Sequence, residues 1–180
     1  MKNEFRIVTF DLESSGLKAN DATILCGVIK ELKKKEIIIS NKRLDKDRIN
    51  DKEVVCAIRD ELNKADLIVG FYHLNFDMKI LNTKLLGYGE KMTDKKLHID
   101  LYRVAKTVFN TSRRNLDTIS KFLGIKQQKT HIDWSAWREA AINGNEKALK
   151  KIIWHCILDV RITEEVFLRL KGLIRCVSLA

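Results

Sequence analysis

Short runs of apolar residues in the first hundred positions predict the strands of a sheet. Residues 5–10 (FRIVTF) are rich in β-branched and aromatic side chains, which is typical of a buried, central strand. Residues 23–29 and 36–40 have a similar composition, and the lysine run between them suits a solvated hairpin turn. Residues 66–71 predict a fourth strand and residues 96–99 a fifth.

Apolar residues recur with helical spacing between and after these strands. Residues 51–64 and 76–86 predict helices, and a helix that joins two strands implies that the strands are parallel. Beyond residue 101 the pattern is helical, and Asn145 can cap a long last helix. We therefore predict an α/β fold with a mixed five-stranded central sheet flanked by helices and a helical C-terminal half. Residues 1–180 would form a single domain.

Composition narrows the class of protein. Of the 180 residues, 45% are hydrophobic, which is enough for a core without disulfides or a structural metal and excludes global disorder. The formal net charge is +10, and residues 83–130 contain 11 Lys and Arg against four acidic residues. A basic excess of this size favours a polyanionic partner such as nucleic acid. A solvated lysine-rich surface is the alternative.

Cysteine usage and hydropathy indicate the compartment. Cys26, Cys56, Cys156 and Cys176 lie in apolar contexts without CxxC spacing, so we interpret them as buried free thiols in a reducing cytosol. The sequence has no apolar run long enough for a transmembrane helix and no signal-peptide region at its N-terminus. We therefore expect a cytoplasmic protein that does not act at a membrane.

Three carboxylates follow predicted strands. Asp11 and Glu13 come directly after the first strand, in FDLESSGL, and residues two apart on a strand face the same way. Asp77 follows the fourth strand, in GFYHLNFD, at the start of a helix. Ligand sites in open α/β sheets collect at the C-terminal edge of the strands. Taken alone, each acid is as well explained as a helix-terminal or solvated residue.

A fourth carboxylate, Asp159, lies on the apolar side of the last helix. A buried charge needs a partner, and His155, four residues earlier, shares its face. A structural His–Asp hydrogen bond would explain this pair alone. If all four acids converge on one cleft, however, their repulsion requires neutralisation, which two divalent cations provide. Oxygen ligands favour Mg²⁺ or Mn²⁺, and such ion pairs act on phosphodiesters, which a basic surface attracts.

Three segments, FDLESSGL, GFYHLNFD and HCILD, resemble in order and spacing the exonuclease motifs of the DEDD 3′–5′ exonuclease superfamily. The sequence is similar to the YprB-like branch and to the proofreading exonuclease domains of family B DNA polymerases, and LHIDLYRV and NLDTISKFLGI support the resemblance. The resemblance implies a ribonuclease H-like fold. It also implies two-metal-ion hydrolysis at the 3′ end of single-stranded nucleic acid, with DNA favoured, that releases nucleoside 5′-monophosphates.

The resemblance implies a role for each motif residue. Asp11 would bridge both metal ions, Glu13 and Asp159 would hold the ion that binds the attacking water, and Asp77 would serve the second ion. His155 would orient and help to deprotonate the water. The implied substrate contacts lie just after the first strand and in the second motif: Leu12, Ser14, Ser15, Leu17, Tyr72 and Asn75.

Two positions depart from the motifs. Tyr72 stands where the polymerase motif commonly has asparagine, and it either stacks on a base or packs at the sheet edge. His155 has the spacing of the tyrosine subclass rather than that of the histidine subclass. This spacing leaves a second hypothesis open, namely that the protein is a catalytically silent nucleic-acid-binding module of the same fold. A ribonuclease H-type endonuclease is the third hypothesis.

Residues outside the motifs carry further expectations. Asp100 is expected to cap the helix that follows it, and Trp134 and Trp137 are expected in the core. Three basic residues are candidates for phosphate contacts, with a solvated surface as the alternative: Arg113, Arg114 and Lys129.

Overall fold

The computed structural model describes residues 5–41, 50–127, 129–175 and 177–180. Of the cysteines predicted to be buried free thiols, Cys26 and Cys156 are free and buried, whereas Cys56 is free but only half-buried. The fourth, Cys176, lies outside the described residues.

A mixed sheet organises the described part of the chain, where it has six strands. The strands are β1 (Ile7–Ser14), β2 (Ile24–Glu31), β3 (Glu36–Ser40), β4 (Leu67–Gly70), β5 (Leu97–Asp100) and β6 (Ser178–Leu179). They lie in the order β3-β2-β1-β4-β5-β6. β4 is parallel to both β1 and β5, and the remaining pairs are antiparallel. The helix-linked strands are thus parallel, and β1 is central, as predicted.

Helices cover both faces of the sheet. They are α1 (Lys52–Leu62), α2 (Asp77–Gly87), α3 (Leu101–Val108), α4 (Leu116–Phe122), α5 (Trp134–Asn143) and α6 (Glu146–Leu170), and a 3₁₀ turn follows at Lys171–Leu173. α1 and α2 bury their apolar residues against one face, and α5 and α6 pack against the other. Among the residues described, no helix is long and apolar enough to span a bilayer.

Helix termini confirm two predicted caps. The Asp100 side chain accepts the N–H of Tyr102 at the start of α3. The Asn145 side chain accepts two backbone N–H groups at the start of α6. Gly144, between α5 and α6, has a φ of 61°, a left-handed conformation that glycine adopts without steric cost. The tight turn there sets α6 running back across the sheet.

Two features of the sheet differ from the sequence prediction. β1 continues to Ser14 instead of ending at residue 10, so Asp11 and Glu13 lie within the strand rather than after it. The antiparallel ladder with β2 pairs this polar end of the strand, with Glu13 opposite Cys26. The sixth strand, β6, pairs with β5, so the sheet is one strand larger than predicted. Its two residues are too few to show an alternating pattern.

Candidate active site

Alternation along β1 separates core residues from acids. Val8, Phe10 and Leu12 pack into the cluster formed with α1 and α2. Asp11 and Glu13 therefore point to the opposite face, against which α6 packs. This alternation directs two carboxylates of the first motif at the helix that carries the last motif.

α6 presents His155 and Asp159 to these acids. His155 Nε2 lies 3.8 Å from Glu13 Oε1 and 3.8 Å from Asp159 Oδ2. His155 and Asp159 are both buried and are four residues apart, so they share one face of the helix. Packing of α6 on β1 thus brings the first and last motifs together.

Asp77 joins the group from the start of α2. It is buried, and its Oδ1 accepts the N–H of Leu12 at 3.1 Å, which links it to β1 between Asp11 and Glu13. Its charge interacts with the charges of Asp11 and Glu13. The structure therefore brings together the four acids that the sequence nominates as metal ligands, with His155 beside them.

Three of these acids accept hydrogen bonds from uncharged protein donors. Such a bond satisfies one carboxylate oxygen without neutralising the charge. The bonds run from Cys156 Sγ–H to Asp11 Oδ2 (3.3 Å), from Trp137 Nε1–H to Glu13 Oε2 (3.1 Å) and from Leu12 N–H to Asp77 Oδ1 (3.1 Å).

Asp159 has a charged partner. Its Oδ2 forms an ion pair with Lys129 Nζ, whereas its Oδ1 is buried and has no hydrogen-bond partner among the described residues. The sequence interpretation named His155 as the partner of Asp159, and the structure corrects this. The distance of 3.8 Å between His155 and Asp159 is beyond hydrogen-bonding range, and His155 Nδ1 bonds to Thr130 Oγ1 at 2.7 Å.

Burial and mutual repulsion alter the titration of the cluster. Burial, and then the charge of Asp159, raise the pKa of Asp11 to about 7. Burial, and then Asp11, raise the pKa of Glu13 to about 8 and hold the pKa of Asp77 well above its ordinary value. Burial lowers the pKa of His155, so its imidazole is neutral at neutral pH. Because these carboxylates repel one another when ionised, a bound cation would stabilise their ionised forms.

The chemistry of the donor set fits a hard divalent cation. It consists of carboxylate oxygens, and the buried Asp159 Oδ1 has no hydrogen-bond partner in the part of the chain that the structure describes. Within the described ranges, however, no three His, Cys, Asp or Glu side chains are arranged as a metal site. Each acid is instead directed at its own protein donor, so ion binding would require these side chains to reorient.

The substrate-contact candidates after β1 have varied environments. Leu12 is buried in the core, and its N–H is engaged by Asp77. The hydroxyls of Ser14 and Ser15 bond to nearby backbone groups. Leu17 is 68% exposed. The substrate-binding roles of these residues remain predictions.

A cleft of about 580 Å³ opens beside Asp11 and Asp159. Tyr72 and Tyr102 line it, with their rings in a T-shaped contact and their centroids 4.9 Å apart. Two exposed arginines and the ion-paired lysine also contribute to the lining: Arg113, Arg114 and Lys129. Asn75 is half-buried in the turn that carries Tyr72. The cleft therefore combines acidic, aromatic and basic side chains.

Asp100 holds the two tyrosines in place. Its carboxylate accepts the N–H of Tyr72 at 2.9 Å, of Leu74 at 3.3 Å and of Tyr102 at 3.0 Å. Tyr72 has a φ of 65°, a conformation that L-residues seldom adopt. Such strain persists only where the surroundings enforce it, and it is concentrated at functional sites.

Sequence reasoning misses several residues of this site. Trp137 is in the core, as predicted, whereas the prediction for Trp134 is wrong, because that side chain is 54% exposed. The N–H of Trp137 also bonds to Glu13. A buried tryptophan usually needs such a partner, and that is the one signal that the sequence offers. Tyr102 has no signal beyond its position after Asp100. Lys129 is predicted as a phosphate contact, whereas here it binds Asp159.

Comparison with known proteins identifies the superfamily. A model of the RNase_H superfamily matches residues 8–171, so the chain belongs to this superfamily. The ribonuclease H-like fold implied by the three motifs is therefore confirmed. This is a nuclease-type fold, and nucleases that have it generally use divalent metal ions and act on nucleic acids.

Solved structures show the same fold. The chain is similar to the family B DNA polymerase from the hyperthermophilic archaeon Pyrobaculum calidifontis, with a TM-score of 0.75 and 17% sequence identity. The match covers 93% of this chain and 25% of the polymerase, so the chain spans about a quarter of the polymerase's length. No curated protein matches the sequence.

Proposed function

We propose that this protein is a metal-dependent 3′–5′ exonuclease of the DEDD type that acts on single-stranded nucleic acid, with DNA favoured. The proposal depends on one observation, the convergence of carboxylates from β1, α2 and α6 beside a neutral histidine. The segments that supply these residues are the three that resemble DEDD motifs. The basic net charge of +10 also suits a nucleic acid substrate.

Asp11, Glu13, Asp77 and Asp159 would hold two Mg²⁺ or Mn²⁺ ions. When bound, the ions would supply positive charge to the phosphodiester group that is cleaved. Neutralisation of the repulsion among the acids would let them share the cleft as carboxylates.

His155 is the proposed general base. With the proton on Nδ1, this nitrogen donates to Thr130 Oγ1, and Nε2 is then the acceptor that faces Glu13 and Asp159. Because burial keeps the imidazole neutral, Nε2 can accept a proton from the attacking water. Attack on the last phosphodiester would release a nucleoside 5′-monophosphate and leave a shortened strand with a new 3′ hydroxyl.

The cleft supports a preference for single strands. Tyr72 and Tyr102 offer aromatic surface on which unpaired bases can stack, and Arg113 and Arg114, which line the same cleft, would contact phosphates. Bases in a duplex are already paired and stacked, so they cannot use the same surface. Main-chain or side-chain contacts from five further residues complete the proposed substrate site: Leu12, Ser14, Ser15, Leu17 and Asn75.

The test is digestion of end-labelled oligonucleotides. With Mg²⁺ or Mn²⁺, we expect 5′-labelled DNA or RNA with an unpaired 3′ end to give a ladder of single-nucleotide steps, and we expect no products with a chelator. Asp11→Asn should abolish turnover. His155→Ala should reduce it by about 100-fold or more, which is the usual contribution of a general base. Asp117→Asn, in the exposed α4 pair with Lys121, is the matched control and should retain activity.

Two other functions predict different products. A catalytically silent binding module would retard the oligonucleotide without shortening it, and the Lys129–Asp159 pair favours this alternative because it opposes ion binding. A ribonuclease H-type endonuclease would cut a circular RNA strand paired with DNA, which has no end for an exonuclease to attack. Full activity in Asp11→Asn would contradict the proposed metal site. A single domain and a cytoplasmic location remain part of the proposal.

A further inference from the structure

Lys129 is the charged partner in a cluster whose other donors are neutral. It lies before α5, and its ammonium contacts Asp159 Oδ2. The Lys129 side chain is 31% exposed, whereas that of Asp159 is 7% exposed. Of the partners that the described residues provide to the four acids, only Lys129 has a permanent charge.

The electrostatic influence of Lys129 extends beyond Asp159. Its charge also attracts the charges of Asp11 and Glu13. An ammonium group thus partly offsets the mutual repulsion of the acids. A divalent cation in the same cluster would need the same oxygens, and it would repel the ammonium group at this range.

We propose that Lys129 is the internal cation of the metal-free site, holding Asp159 until a divalent ion displaces it and so setting the ion concentration at which the site fills. The inference rests on the proposed function, since it takes Asp11, Glu13, Asp77 and Asp159 as the ligands. Displacement is sterically possible because Lys129 lines the open cleft of about 580 Å³. The cleft offers space for the Lys129 side chain away from Asp159.

If Lys129 competes with the divalent ion, its replacement should change the stability of the metal-free protein and the affinity for the ion in opposite directions. Removal of the ammonium group should weaken the metal-free fold, because a buried carboxylate loses its partner. The same change should strengthen ion binding, because the ion no longer displaces a competing cation. A lysine with a merely structural role would not improve ion binding when it is removed.

The experiment measures Mn²⁺ affinity from the electron paramagnetic resonance signal of the free ion, without nucleic acid. We expect Lys129→Met to bind Mn²⁺ about tenfold more tightly than the unmodified protein, a change typical of coupled sites. Lys129→Arg keeps the charge and should bind about as the unmodified protein does. Lys121→Met removes the exposed lysine of the α4 ion pair and is the matched control, which should leave the affinity unchanged.

Melting temperatures provide the second measurement. With a chelator, Lys129→Met should have a lower melting temperature than the unmodified protein. Mn²⁺ should raise the melting temperature of Lys129→Met by more than it raises that of the unmodified protein. Equal or weaker Mn²⁺ affinity in Lys129→Met would overturn the inference and leave the proposed function intact. Absence of Mn²⁺ binding in both proteins would overturn the proposed function and the inference together.

Discussion

At Tyr72 the backbone has a conformation that an L-residue disfavours, while the side chain lines the cleft. Its φ of 65° costs an L-residue about 1 kcal/mol or more. Its ring remains 44% exposed and lines the cleft, so burial of the ring is incomplete. The hydrogen bond from its N–H to Asp100 helps to hold the strained turn. The conformation places an aromatic face beside the acids, which fits a role in binding substrate.

Substitutions at Tyr72 should reverse the usual order of alanine and glycine. Because glycine adopts a positive φ freely, we expect Tyr72→Gly to be more stable than Tyr72→Ala by about 0.5 kcal/mol or more. Both variants should bind single strands more weakly than the unmodified protein. Urea unfolding gives the stabilities. At exposed Lys150 in α6 the same two substitutions should show the ordinary order, with alanine more stable by about 1 kcal/mol. If alanine is also the more stable at residue 72, the left-handed turn is not enforced.

Single residues differ in how far the sequence predicts their positions in the cluster. Asp11, Glu13, Asp77 and Asp159 are predictable because a charged residue beside a buried strand or on an apolar helix face is costly. Lys129 is not, because it lies in an irregular segment between α4 and α5 with no periodicity to fix its direction. Its contact with Asp159 exists only once the helices have packed.

At the scale of elements, strand and helix identities are predicted better than their ends. β1 exceeds its predicted length because its last residues are polar, whereas the apolar pattern that marks a strand stops at Phe10. Pairing with β2 extends it, and pairing depends on tertiary structure. The junction of β5 and α3 shows a related effect. There Asp100 caps the helix, as predicted, but it also binds the Tyr72 turn, which no local pattern indicates.

Replacement of Asp100 should lower both the stability of the protein and its affinity for single strands, whereas loss of another helix cap should lower the stability alone. Asp100→Ala and Asp133→Ala each remove a helix N-cap, so each should cost about 1 kcal/mol or more in urea unfolding. Only Asp100→Ala also releases Tyr72 and Tyr102. We expect it to weaken binding of a fluorescent single-stranded oligonucleotide about fivefold or more in the presence of a chelator, since stacking contributes on this scale.

The comparison with Asp133→Ala decides the interpretation. Asp133 caps α5 and, among the residues that the structure describes, forms no hydrogen bond or ion pair with the Tyr72 turn, so its loss should leave binding near that of the unmodified protein. Fluorescence anisotropy of the labelled oligonucleotide measures the affinity of both variants. If the two variants bind equally well, the tyrosines do not contribute to binding, and the cleft has a different role.

For the whole molecule, the fold gathers like charges that the unfolded chain keeps apart. The pKa of Asp11 is about 7 and that of Glu13 about 8 in the folded protein, against ordinary values near 4. At pH values between the ordinary pKa values and those of the folded protein, the folded state binds more protons than the unfolded state. The free energy of unfolding contributed by these groups is therefore fully present at low pH and is lost as pH rises through the folded pKa values.

Buried histidines act in the opposite direction. Burial lowers the pKa of His73 to about 3 and that of His98 to about 4, so both are neutral in the folded protein near pH 6. Their contribution to stability is present above the ordinary histidine pKa and is lost as pH falls towards these values. The two effects overlap, so a pH profile of the unmodified protein alone cannot separate them.

Asp11→Asn isolates the acid cluster, because both proteins contain the same histidines. With a chelator present, we expect Asp11→Asn to be more stable than the unmodified protein at pH 8 and the advantage to shrink towards pH 4, where Asp11 is protonated in the folded state. Urea unfolding at several pH values gives the difference. Mn²⁺ should stabilise the unmodified protein at pH 8, where its ligands are ionised, and should stabilise Asp11→Asn much less. If Asp11→Asn is instead less stable at every pH, repulsion within the cluster is not what destabilises the metal-free protein.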